Sequence, residues 1–413
     1  MKTSALVALG VCFLAFLLVL DHKAHAWNGD DEIDEVEEDD DDEFDFVSSN
    51  LEFVKSDDLV EVQCDGQECA ADSGDTSGLI PSVFARGLVT SKPKPRRILE
   101  EHSRAGTQLS KQFEGETLGY VTPWNNRGYD WAKQFRNKFT YISPVWLQVR
   151  EDPKKVPIIT GTHDIDQEWV QEVKYGVNKK DNGEGPAMVP RVVYERNRLA
   201  SEDVPVIIEK MLSLVEEHNF DGMVFEIPVM AGTVDMLQHM GRAFQEAQKM
   251  LILVLTKSSN DVNLRGELAV THEIFAELAP LVHRFSMNAY DFRTPGPNAP
   301  YSWLKATLEK MSPLQRQKIL LGIPFYGYDN NDPIIGRTYI ESLKENDVAK
   351  IRWDATAHEC QHVYTSVGTG SPHVVFYPCL QFLQDRLALY QEFDVGAAIW
   401  ELGQGLDFFY DLL

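Results

Sequence analysis

In the stretch NFDGMVFEIPVM at residues 219–230, a turn at Asn219–Gly222 opens onto an apolar run in which Glu226 is the one acid. A lone carboxyl group at the end of a buried strand is the residue type that hands a proton to a leaving oxygen, work typically worth ~10² to 10⁴ in rate. Two positions further on, where such a strand would end, comes Pro228, which has nothing to donate. Alternate side chains on a strand share a face, so Gly222, Val224, Glu226 and Pro228 point one way while Asp221, Met223, Phe225 and Ile227 point the other. The second set is bulky and mainly apolar, suited to packing under helices. Glu226 is therefore assigned to the inner face, one layer below Pro228. Two residues along a strand span roughly 6.6 Å, about twice a hydrogen-bond length, so Glu226 is expected not to reach a bond that a group at position 228 would serve.

Two other stretches carry chemistry-bearing residues. HECQH at 358–362 fits the H-E-x-x-H zinc pattern, which works by placing two histidines on one face of a helix. Here it falls in a predicted hairpin, where strand alternation would set the two rings ~13 Å apart, and no further ligand follows at the required spacing. HDIDQEW at 163–169 mimics a triad of acids, but it precedes a helical pattern, so capping and dipole complementarity explain it better. No motif calls for a metal or another cofactor.

The elements that would position Glu226 are legible from about Thr117 onward. Eight apolar runs, at 118, 139, 187, 221, 250, 283, 318 and 395, alternate with helical periodicity at 202, 233 (behind a Thr233 cap), 271 and 299. Near-continuous apolar strands between helices argue for parallel strands buried on both faces. Eight such units are the count of an α/β fold of the (β/α)₈ TIM-barrel type. A doubly wound open sheet would want a phosphate-cradling glycine loop after its first strand, and GYVTPWNN offers none. The seventh and eighth runs begin 77 residues apart, at Lys318 and Val395. A small α+β insertion at about 329–378 is expected there.

The motifs FDGMVFEIP, MNAYD, LGIPFYGYD and AAIWELGQG, in this order, resemble glycoside hydrolase family 18, the chitinases and chitinase-like lectins. The likeness runs from about Arg86 to Leu413. In that family the fourth-strand motif begins Asp-Gly and places inward acids at its fourth, sixth and eighth positions, the eighth being the proton donor. Counted from Asp221, those positions hold Val224, Glu226 and Pro228, so only the sixth keeps a carboxyl group. The substrate's own acetamido group is the nucleophile in that chemistry, which leaves the protein one indispensable acid. The resemblance thus implies a protein that binds oligosaccharides without hydrolysis because the general-acid position is Pro228, with Glu226 or Glu401 as the acid only if the chain is a slow glycosidase. It also implies a sugar platform: Trp400 as the floor, Tyr290 and Asp291 from the sixth strand, Tyr120 with Trp124 from the first, and Tyr326 from the seventh. Met287 lies three residues before Tyr290 rather than two and is not carried over. Trp146, ending the second strand, is a further candidate rim aromatic. Ligands implied are N-acetylglucosamine oligosaccharides and, through endotoxin sensing, lipopolysaccharide; a stabilin-type scavenger receptor is the implied protein partner.

Composition bounds the rest. The chain has 413 residues with a formal charge of −25, which disfavours nucleic acid and anionic membrane as partners. Lys2, the apolar run Ala5–Leu20 and Ala24-His25-Ala26 have the layout of a secretory signal, predicting residues 1–26 as removed and a secreted or lysosomal product. Sixteen apolar residues fall short of a membrane span. Residues 27–85 form an acidic leader, with thirteen acids and no base between 30 and 45, expected to stay solvated. It serves either as a solubilising segment or as a calcium- or receptor-binding tail. Residues 86–115 lead into a barrel at 116–413. Beyond the signal remain Cys64, Cys69, Cys360 and Cys379, which permit three pairings; Cys64 with Cys69 would close a small loop, and Cys360 with Cys379 is the other candidate.

Overall fold

The computed structural model describes residues 79–413 except 108, 177–184, 256–270, 347 and 349. The expected signal segment, most of the acidic leader, and Cys64 and Cys69 lie outside the described residues. Strands in chain order are β1 (Thr117–Val121), β2 (Tyr141–Glu151), β3 (Pro157–Thr160), β4 (Ala187–Met188), β5 (Arg191–Tyr194), β6 (Gly222–Glu226), β7 (Met250–Leu255), β8 (Arg284–Met287), β9 (Ile319–Pro324), β10 (Gly327–Asp329), β11 (Asp332–Ile334), β12 (Arg352–Asp354), β13 (Glu359–Thr365), β14 (Pro372–Phe376) and β15 (Gly396–Trp400). The α-helices are α1 (Pro95–Glu101), α2 (Arg127–Gln134), α3 (Gln167–Tyr175), α4 (Val204–Glu217), α5 (Val234–Glu246), α6 (His272–Leu278), α7 (Tyr301–Lys310), α8 (Pro313–Lys318), α9 (Gly336–Glu345) and α10 (Leu380–Glu392).

The parallel strands run β1, β15, β9, β8, β7, β6, β5, β2 and back to β1, which closes the sheet on itself. This is a (β/α)₈ barrel, its third strand broken into β4 and β5 where Pro190 has no N–H to give. Side-chain parity divides the core in two. Leu118, Tyr120, Tyr141, Val145, Val224, Ile252 and Leu320 fill the interior. Met223, Phe225 and Ile227 pack outward in the layer under the helices. Gly222 is required by close approach: a Cβ there would lie 2.1 Å from the Met250 carbonyl oxygen.

Trp146 does not stand at the rim. It is fully buried in the outer layer, its indole N–H donating to the Tyr129 hydroxyl at 2.7 Å and its ring edge-on to Trp169. Val145 faces the interior, so its neighbour must face out, and a register shift between Val145 and Leu147 keeps Leu147 outward as well. Asp166 caps α3 by accepting from the Trp169 N–H at 3.0 Å, the structural role expected for HDIDQEW. Thr233 precedes α5 without capping it; its hydroxyl donates to the Pro228 carbonyl at 2.8 Å and so braces the loop after β6.

Between β9 and α10 the chain forms a five-stranded antiparallel sheet, ordered β11, β10, β14, β13, β12, together with α9. A Cys360–Cys379 disulfide, with 19 residues of sequence separation, ties β13 to the residue before α10. Closing a loop of that length stabilises a fold by roughly 3 kcal/mol in the chain-entropy model. Reduction is expected to lower the unfolding free energy by about that much; a urea midpoint unchanged by dithiothreitol would contradict it.

At the other end, residues 79–107 and 109–113 fold over the chain terminus. The Asp411 carboxylate accepts from the Val83 and Gly106 N–H groups at 3.0 and 2.6 Å, and Arg86 bridges Glu101 and Asp411 at 2.8 and 3.3 Å.

Candidate functional site at the barrel mouth

Carboxyl ends of barrel strands are where such folds place their chemistry, and four groups converge there. Trp400 is the last residue of β15, Glu226 the last of β6, Tyr120 lies one from the end of β1, and Arg191 begins β5. Arg191 pairs in register with Val224, one layer below Glu226, and Val193 sits beside Glu226. From that deeper layer its guanidinium forms an ion pair with the Glu226 carboxylate, with side-chain exposures of 7% and 13%. The same guanidinium lies 4.8 Å from the Trp400 ring centroid and 5.5 Å from that of Tyr120, within cation–π range. Tyr120 and Trp400 are 5.3 Å apart, and the Tyr120 hydroxyl donates to Ser286 Oγ at 2.8 Å. Burial pushes Tyr120 above and Arg191 below their ordinary values. Tyr120 therefore remains a neutral phenol.

A second group flanks the first. Tyr290 and Tyr326 meet edge to face at 6.0 Å. Asp291 accepts from the hydroxyls of Tyr326 and Tyr328, the latter at 2.6 Å. Burial raises both Tyr290 and Tyr326 well above the usual tyrosine range. The loop bearing Asp291 is held from the insertion: Glu359 accepts from the N–H groups of Asn298 and Ala299 at 2.9 and 2.7 Å, and the Asn298 side-chain oxygen accepts from the Asp291 N–H at 2.7 Å. Glu359, the acid of HECQH, is thus a loop clamp. Burial pushes it up to about 7. His358 instead pairs with Asp385 at 2.6 Å, and among the described residues no cluster suited to a metal ion occurs.

The remaining site candidates separate. Trp124, just past β1, is 55% exposed. Pro228 lies beyond β6, exposed. Asp221, first in the motif, salt-bridges Lys174 at 2.9 Å and accepts from the Met188 N–H at 2.7 Å, a structural tie. Glu401 follows Trp400 but is fully buried, accepting from the Asn125 amide at 2.5 Å and from the Gly403 N–H at 3.2 Å. As the alternative acid it is therefore misplaced, because its two carboxyl oxygens are enclosed by Asn125, on the loop after β1, and by Gly403.

Burial raises Glu401 from 4.5 to about 7. Between those values the folded state keeps a proton that the unfolded state has lost, so this group's contribution to stability falls as pH rises through the window. Relative to the parent, Glu401→Gln is expected to gain stability on going from pH 5 to pH 7.5, by up to roughly 1.4 kcal/mol per pH unit. Urea midpoints at the two pH values check this; a pH-independent difference would contradict it.

Arg191 escaped the sequence reading, although a signal for it was present. Ala187, Val189 and Arg191 share one parity, and Val189 is interior. A lone inward acid on the adjacent strand needs a counter-charge.

No protein-family model matches the chain. A curated protein of Bacillus subtilis (strain 168), the uncharacterized glycosylase YvbX, is 20% identical over 217 residues, 49% of this chain and 63% of that protein. The chain thus spans less than two thirds of that relative's length. Among solved structures, a chitinase from Chromobacterium violaceum superposes with a TM-score of 0.59 at 18% identity, over 72% of this chain and 98% of its own. The spore cortex-lytic enzyme SleL of Bacillus megaterium gives 0.55 at 18% identity, over 72% of each chain. A GH18 chitinase from Cycas revoluta in complex with (GlcNAc)3 gives 0.56 at 12% identity, over 72% and 98%. At these identities the likeness is one of fold: this chain shares the barrel of those proteins.

Proposed function

We propose that the barrel mouth is an oligosaccharide-binding cleft of the glycoside hydrolase family 18 type that binds N-acetylglucosamine-containing chains without cleaving them, in a secreted protein. The observation that carries this is the state of its carboxyl groups. The proton-donor position of the family motif is Pro228, past the end of β6, and the retained acid, Glu226, is engaged by Arg191. A carboxylate matched to a guanidinium has its charge satisfied and no proton to give. Removing the proton donor while keeping aromatic surface favours binding over turnover. Trp400 supplies a partly exposed ring for the apolar face of a pyranose, and Tyr290, Asp291 and Glu226 supply polar groups to fix its substituents.

Titrating intrinsic tryptophan fluorescence with chitotetraose tests the proposal. A saturable change is expected. No change, with calorimetry equally flat, would mean the Arg191–Trp400 cluster fills the cleft and the barrel serves protein contacts alone.

A further inference from the structure

Away from the barrel mouth, a cavity of about 330 Å³ opens between the lead-in segment and the end of the chain. Its inner wall is apolar: Ile98 of α1, Leu380 of α10, and Leu406 and Phe408 of the C-terminal turns are all buried. Its outer edge is cationic, formed by Lys92, Lys94 and Arg97. Arg97 is partly neutralised by Glu100 and Glu101, at 3.7 and 3.3 Å. Lys92 and Lys94 are exposed and enter no ion pair among the described residues. Two unmatched cations over an apolar hollow are notable on a chain of formal charge −25.

We propose that this cavity binds a small organic acid, one anionic head group on an apolar, ring-sized body. The volume is that of a small-molecule site and too small for a folded partner. The body would sit against Leu380, Leu406 and Phe408, with the head between Lys92 and Lys94, where two ammonium groups match a carboxylate, sulfonate or phosphate. An uncharged body of the same shape would leave the lysines unmatched and bind less well.

Titration of the full chain with 8-anilinonaphthalene-1-sulfonate tests this by fluorescence. One site per chain is expected, weakening with added salt as the lysines are screened. Lys92→Ala/Lys94→Ala, at exposed positions, is expected to weaken binding at least tenfold while leaving the thermal melt unchanged. Thr90→Trp, which fills the cavity from its rim, should abolish binding, whereas Trp400→Ala should leave it intact. Equal affinity in the parent and both cavity variants, loss of the site in Trp400→Ala, or equally tight binding of uncharged N-phenyl-1-naphthylamine would each overturn the proposal.

Discussion

Arg191→Met is expected to lower the unfolding free energy by about 3–5 kcal/mol, because it leaves the Glu226 carboxylate in the barrel without its counter-charge. Glu226→Gln should cost less. The orphaned guanidinium would still rest against the rings of Trp400 and Tyr120, and such contacts offset part of the loss of a charged partner. Removing both charges in Arg191→Met/Glu226→Leu should recover much of the difference, since a buried ion pair replaced by apolar groups of similar volume is often neutral or stabilising. Chemical unfolding of the four proteins measures this cycle. If the double variant costs the sum of the two single variants, the pair is not coupled and the description of the barrel mouth is wrong.

Trp400→Ala is expected to weaken chitotetraose binding by about 30-fold or more, the ~2 kcal/mol cost of removing a central aromatic anchor. Trp400 also covers Arg191, so its loss has a second route to the ligand. Trp400→Phe separates the two, since it keeps a ring over the guanidinium while reducing the stacking area. Calorimetric affinities should therefore fall in the order parent, Trp400→Phe, Trp400→Ala. Parent-like affinity in Trp400→Ala would move the sugar site elsewhere on the molecule.

The barrel was legible in the sequence because parallel strands buried on both faces must be apolar throughout, and the eight runs have that character. Parity then placed Val224 inside and Met223, Phe225 and Ile227 outside. Trp146 reads as a rim residue only if the second strand ends there; β2 runs on to Glu151, and alternation from the inward Val145 turns the Trp146 ring outward. A strand's end has no compositional mark where the apolar pattern runs on, as it does here through Leu147 and Val149. Arg191 is a different case. Its inward position could be counted, yet its partner lies on another strand, and only the closed sheet brings the two together. Glu359 shows the same limit from the opposite side: spacing made it resemble part of a metal motif, whereas the fold uses its carboxylate to hold the two N–H groups of the Asp291 loop.

The insertion sheet is thereby part of the site's architecture. Glu359 links β13 to Asn298, and Asn298 fixes the backbone of Asp291, whose carboxylate in turn gathers the hydroxyls of Tyr326 and Tyr328. The Cys360–Cys379 bridge lies next to this clamp, so its effect on stability and any effect on ligand affinity should be measured together.

The most direct measurement is hydrolysis itself. Purified protein, free of contaminating glycosidase, is incubated with chromogenic chitobioside and chitotrioside from pH 3 to 8. On the proposed reading no release above the blank is expected at any pH, because Pro228 stands where the resembled motif carries its donor and Glu226 is ion-paired with Arg191. Turnover that copurifies with the chain and vanishes in Glu226→Gln would contradict the account.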